Sequence, residues 1–172
     1  MPSLYLITSG KNNIPKEIIE RINSLPIEGK PYAAFDLDNT LLIGDIGEAV
    51  FALLLKKKII TNYSWRDYLY LLEKNKLQAY KRVIDLMQGL HISILEEITL
   101  QIIDSKRKVI SIEGYAIPLP KPNSRMQMLL ELLKKKGIAV YIITASNEVS
   151  AGMICKKYFN VSPSNIIGAE VA

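Results

Sequence analysis

The chain has 172 residues, 49% of them apolar and 23% charged, which places it among globular rather than disordered sequences and gives it enough length for a hydrophobic core. Lys and Arg exceed Asp and Glu by 22 to 17, a net +5 that tolerates an anionic substrate. No Arg-rich arm or aromatic-basic interleaving marks a nucleic-acid binder. One cysteine, Cys155, excludes an internal disulfide. The start, MPSLYLITSGKNN, lacks a basic region and a long apolar run, and no stretch reaches the roughly 20 apolar residues of a membrane span. The expectation is a cytoplasmic protein with no membrane partner.

Taken in chain order, Leu4 to Thr8 reads as a strand. Asn13-Ile14-Pro15 offers a cap and a first-turn proline for a helix from Lys16 to Leu25. Pro31 to Leu37 is an apolar run that reads as a buried strand ending in acids. From Ile46 to about Gly114 the pattern is helical: Ile46–Lys58, Tyr63–Lys74, Lys76–Gln88 with Gly89 as its stop, and a helix opened by the capping-box pattern Ser93-Ile94-Leu95-Glu96. Pro118, Pro120 and Pro122 punctuate a loop. Asn123 caps a helix from Ser124 to Lys136, and Gly137 ends it. Ile138 to Ile143 reads as a second buried strand. Ser146 caps a helix to about Phe159, and Ile166-Ile167 begins a third strand. The order gives an α/β fold with a helical insertion after its first strand.

The segment Phe35-Asp36-Leu37-Asp38-Asn39-Thr40-Leu41-Leu42 carries the chemistry. Two acids two residues apart, at the carboxyl end of a buried strand, face the end of a parallel sheet where ligands bind. One carboxylate can attack phosphorus, and the other can protonate the leaving alcohol and then deprotonate water. A hard dication such as Mg²⁺ suits such oxygen donors. The bland alternative makes both acids turn and cap residues.

This segment resembles the first motif of the haloacid dehalogenase (HAD) superfamily, D-x-D-x-[TV]-[LV]. The resemblance implies a parallel-sheet, Rossmann-like core of three layers with a helical cap. It makes Asp36 the nucleophile and a Mg²⁺ ligand. It makes Asp38 the general acid/base, with its carbonyl on the metal, and it favours phosphatases over dehalogenases. Tyr141-Ile142-Ile143-Thr144-Ala145-Ser146 resembles the second motif, with Thr144 on the phosphoryl oxygens; in isolation that threonine is equally a helix cap. Asn39 joins Thr144 as a candidate phosphate-binding residue, and Asn147 can face the site.

The resemblance is closest to the phosphoserine phosphatase-like branch, whose cap of the first type would span 46–117 between core segments 1–45 and 118–172. In that branch an acid nine positions after the nucleophile contacts the non-phosphate end of the substrate, and here that position is Asp45. Asp45 suits a cationic substrate group or merely caps the helix at Ile46. Glu48 lies one helical step on. Arg82 is a candidate for a substrate anion or a solvated helix residue.

The superfamily's later lysine and its acidic GDxxxD pair have no counterpart among the 172 residues. Lys156 and Lys157 sit mid-helix. Glu148 and Glu170 lack the context. The expectation is a core incomplete at its C-terminus, weak Mg²⁺ binding through Asp36, and a first strand with one unpaired edge that invites self-association or cover by Leu4–Thr8. The expected function is a Mg²⁺-dependent phosphatase acting on a small-molecule phosphate ester. The alternatives are a truncated, non-catalytic HAD-like binding module and a phosphotransferase or mutase of the same superfamily. His91, Cys155 and the runs Lys56–Lys58 and Lys134–Lys136 read as solvated loop, core thiol and helix-end charges.

Overall fold

The computed structural model describes residues 14–171. Its elements in chain order are α1 (Lys16–Ser24), β1 (Tyr32–Phe35), β2 (Leu42–Ile43), α2 (Ile46–Lys56), α3 (Trp65–Lys74), α4 (Lys76–Met87) and α5 (Ile92–Ile103). The hairpin β3 (Val109–Ile112) and β4 (Tyr115–Pro118) follows. Then come β5 (Lys121–Pro122), α6 (Ser124–Lys135), β6 (Ala139–Asn147), α7 (Glu148–Phe159) and β7 (Ile166–Ala169). The fold is α/β, and its sheet is parallel with β6 between β1 and β7. Phe35 pairs with Ile142, and Ile142 with Ile166. The expected strand at Leu4–Thr8 and the cap at Asn13 lie outside the described residues.

Among the described residues, the sheet has one packed face and one exposed face. On β6, Val140, Ile142 and Thr144 are buried, whereas Tyr141 and Ile143 are exposed. Tyr32 on β1 and Ile167 on β7 share the exposed side, at 74% and 57% exposure. The packed side meets α6 and α7, whose Leu130, Leu133, Ile154 and Cys155 are buried. Each apolar side chain fully removed from water there contributes about 1.5–3 kcal/mol. Among the described residues, β1 has no partner on its outer edge.

The helical stretch after β2 is anchored to the core rather than hung from it. The α2 helix packs on α5, α7 and β6 through Ala49, Val50, Phe51, Ala52, Leu54 and Leu55, all buried. Buried Thr99 on α5 shares a 2.7 Å hydrogen bond with Ser150 on α7. Phe51, Trp65 and Tyr68 stack with centroids 5.0 to 6.1 Å apart.

Three local expectations need correction. The stretch to Gly114 is not wholly helical, because β3 and β4 form an antiparallel hairpin. Glu113 and Gly114 both have positive φ (+49° and +85°), the backbone a two-residue hairpin turn requires, and the Glu-Gly pair is a weaker signal than Asn-Gly. Glu113 then takes the N–H groups of Trp65 and Arg66 at 3.0 and 3.1 Å, holding the start of α3. Ser93 is not the cap of α5: His91 is, with its Nδ1 accepting the N–H of Ser93. Pro15 stands at the cap of α1 rather than inside its first turn.

Candidate active site

The backbone after β1 turns sharply over residues 37–41. Leu37 and Leu41 are buried and pin the turn, and Asn39 takes a left-handed φ of +58°, which asparagine tolerates better than most residues. The Asn39 N–H donates to the Gly44 carbonyl at 3.0 Å. Antiparallel pairing of β2 with β5 fixes the return. The result leaves Asp36 and Asp38 on one cleft at the carboxyl end of the sheet.

That cleft has about 210 Å³ of room. Its core side carries Asp36, Asp38, Asn39, Asp45, Gly47, Glu48, Ala145, Ser146 and Asn147. Its helical side carries Tyr68, Lys76, Tyr80, Val83, Ile84 and Met87.

The two aspartates live in opposite surroundings. Asp36 is exposed, and its Oδ2 accepts the Thr40 hydroxyl at 2.7 Å. Asp38 is clamped: Oδ1 accepts the Ile46 N–H at 2.7 Å, and Oδ2 accepts the hydroxyls of Ser146 at 2.7 Å and Thr144 at 2.9 Å. Burial pushes the Asp38 carboxyl above its usual range, the hydrogen bonds from Ser146, Ile46 and Thr144 oppose this, and the charge of Asp36 pushes it further up. The three donors are not equivalent. A hydroxyl can rotate and accept, whereas a backbone N–H cannot, so Oδ2 is the oxygen that can carry a proton.

Asp45 caps α2, its Oδ1 accepting the Glu48 N–H at 2.9 Å. Its carboxyl is pushed up to about 7, first by burial, then by the charge of Asp38, with Glu48 adding to it and the N–H groups of Glu48 and Gly47 opposing. Glu48 accepts the Tyr68 hydroxyl at 2.7 Å. A side chain at Gly47 would meet the Ser146 Oγ at 2.7 Å, so only glycine lets the start of α2 approach β6 this closely.

The sequence reading placed Asp36, Asp38, Asn39, Asp45 and Glu48 near one another, and all five border the cleft. Thr144 is buried, and its hydroxyl is spent on Asp38. Arg82 does not border the cleft; its guanidinium lies 5.5 Å from the Tyr63 ring centroid. Ser146 does not cap α7. That cap is Asn147, whose Oδ1 accepts the Ser150 N–H at 2.9 Å, and β6 continues through Ser146 to aim its hydroxyl at Asp38. Ser146, Gly47, Lys76, Tyr68, Tyr80 and Met87 were missed as site residues. Only the amphipathic pattern of α3 and α4 hinted at the last four. Cys155 is buried and does not border the cleft, its thiol pushed up to about 12 by burial and further by the charge of Asp38.

Mg²⁺ asks for oxygen donors in near-octahedral array. Here both carboxylate oxygens of Asp38 already accept protein donors, which leaves Asp36 as the principal carboxylate. Among the described residues, no three His, Cys, Asp or Glu side chains are grouped to hold a metal. The described residues therefore do not by themselves fit a complete Mg²⁺ site. No helix among them is long and apolar enough to cross a membrane.

No family model matches the chain, and no curated protein matches it in sequence. Among solved structures, it is similar to a conserved, functionally unknown protein from Anaerococcus prevotii DSM 20548, at a TM-score of 0.61 and 13% identity, covering 92% of this chain and 69% of that one. It is also matched to a phospho-aspartyl intermediate analogue of phosphoserine phosphatase, at a TM-score of 0.46 and 14% identity, covering 81% of this chain and 56% of that one. The first likeness is one of fold: an α/β chain on a parallel sheet.

Proposed function

We propose that this chain is a HAD-type phosphatase core that forms an aspartyl phosphate at Asp36 from a small-molecule phosphomonoester. The observation that carries the reading is that Asp36 and Asp38 share one cleft at the carboxyl end of a parallel strand, one exposed and one half-buried and clamped by three donors. A carboxylate oxygen of Asp36 attacks phosphorus as the bond to the leaving oxygen breaks, and Asp38 gives its proton to that oxygen. Asp38 then takes a proton from water, whose oxygen attacks phosphorus, releasing orthophosphate and free Asp36. The inserted stretch 46–117, four helices followed by the β3–β4 hairpin, serves as the cap, with Asp45 and Glu48 facing the non-phosphate end of the substrate. Mg²⁺ is the expected cofactor, held weakly through Asp36 and the Asp38 carbonyl. Tight Mg²⁺ binding in isothermal titration would contradict that weakness.

Hydrolysis of p-nitrophenyl phosphate with Mg²⁺ present tests the reading, with Asp36→Asn as control. Turnover abolished by the substitution supports it, and a wild-type chain without turnover sinks it. A second reading, a non-catalytic phosphate-binding or interaction module on the same fold, is favoured by the incomplete metal donor set. It requires orthophosphate binding without turnover.

A further inference from the structure

A phosphate monoester brings two negative charges into a cleft already bordered by Asp36, Asp38, Asp45 and Glu48. Like charges at close range repel more strongly as water leaves, so the site needs a cation. The lysines after Thr144, Lys156 and Lys157, are exposed on α7 and do not border the cleft. Among the described residues lining the cleft there is one cation, Lys76.

Lys76 is the first residue of α4, held in place by Asn75, whose side chain accepts the Gln78 N–H at 3.1 Å. Its ammonium lies 5.4 Å from the ring centroid of Tyr80, one turn further along, and Tyr80 borders the same cleft. The ring attracts the ammonium and keeps it beside the cleft, which reduces the ordering cost of binding an anion there. The same helix buries Val83 and Met87 in the cleft wall, so the backbone that carries Lys76 is fixed by packing. Helix α4 also presents its positive dipole end at this residue, a field of the same sign.

We infer that Lys76, carried by the helical wall, is the cation that neutralises the phosphoryl group in this cleft. This rests on the reading of the cleft as a phosphate-binding site, which the phosphatase and the non-catalytic readings share. It assigns the charge-balancing role to the helical wall rather than to the core side of the cleft, so α4 must be seated for the anion to bind.

The test compares wild type, Lys76→Met, Lys76→Arg and Lys74→Met, each with wild-type circular dichroism. Lys74 bonds Tyr70 and does not border the cleft, which makes it the surface control. Lys76→Met is expected to raise KM for p-nitrophenyl phosphate and Ki for orthophosphate at least tenfold. Lys76→Arg should recover most of the loss, and Lys74→Met should change neither. Unchanged KM and Ki in Lys76→Met overturn the inference while leaving the phosphatase reading intact. If the wild type shows no turnover, orthophosphate titration decides. Binding that Lys76→Met weakens tenfold keeps the inference and removes only the phosphatase reading, and absence of orthophosphate binding removes both.

Discussion

The rim of the sheet and its outer face depart from ordinary burial in opposite directions. At the rim, where β1 and β6 end, polar groups are buried: Thr144, Ser146 and Asn147 are all under 10% exposed, and each has a hydrogen-bond partner. On the outer face, apolar groups meet water: Tyr32, Ile143 and Ile167 are more than half or about half exposed. A buried polar cluster costs several kcal/mol unless every member is paired, and here pairing with Asp38 and α7 meets that cost at the end of the sheet where the proposed site lies. An exposed apolar face marks a surface that can dock. The two regions share strand β6, and alternate residues of it belong to each.

The largest effect expected from breaking this contrast is at the rim. Asp36→Asn removes the proposed nucleophile and should lower kcat by at least about 10³-fold, roughly 4 kcal/mol at the barrier, in a p-nitrophenyl phosphate assay. Residual activity near wild type would take the reaction away from Asp36. Next comes the packed side of β6. Ile142→Ala opens a cavity beneath the rim and should cost about 3 kcal/mol in urea unfolding.

A smaller effect comes from Asp45, with its sign set by pH. Its carboxyl sits at about 7 in the folded chain against 3.8 for an ordinary aspartate, so the native state holds the proton more tightly than the unfolded state. Its contribution to stability is therefore fully present below pH about 4 and lost as pH rises through about 7. Asp45→Asn keeps the cap of α2 without the charge. In metal-free protein it should raise stability by about 2 kcal/mol at pH 8 and leave it unchanged at pH 4, the full shift being discounted for partial exposure. Equal shifts in the urea midpoint at both pH values would show that the carboxylate is not strained.

The smallest effect is expected on the outer face. Ile143→Thr, adjacent in sequence to Ile142, should change stability by no more than about 0.5 kcal/mol. A loss near that of Ile142→Ala would mean the face is covered in solution. If the chain self-associates through this face and the edge of β1 that is unpaired among the described residues, its apparent mass should fall on dilution in light scattering. Tyr32→Lys should lower it further, and a wild type monomeric at high concentration counts against that contact.

What the sequence determined by itself was local. Asp36 and Asp38 could be placed on a strand end because two residues and an apolar run decide it, and the helices from Ile46 to Ile103 follow from periodicity and capping. Asn123 capping α6 and the stops at Gly89 and Gly137 are equally short-range. Tertiary structure decided what lies across the cleft. Ser146 read as a cap because serine before a helix usually is one, yet its hydroxyl meets a carboxylate 108 residues earlier in the chain. Lys76, Tyr80 and Met87 read as an ordinary amphipathic helix, and only the packing of α4 against the end of β6 makes them a wall. Alternation along β6 identifies two faces but not which one is covered, because the pattern is apolar on both and the choice is made by α6 and α7.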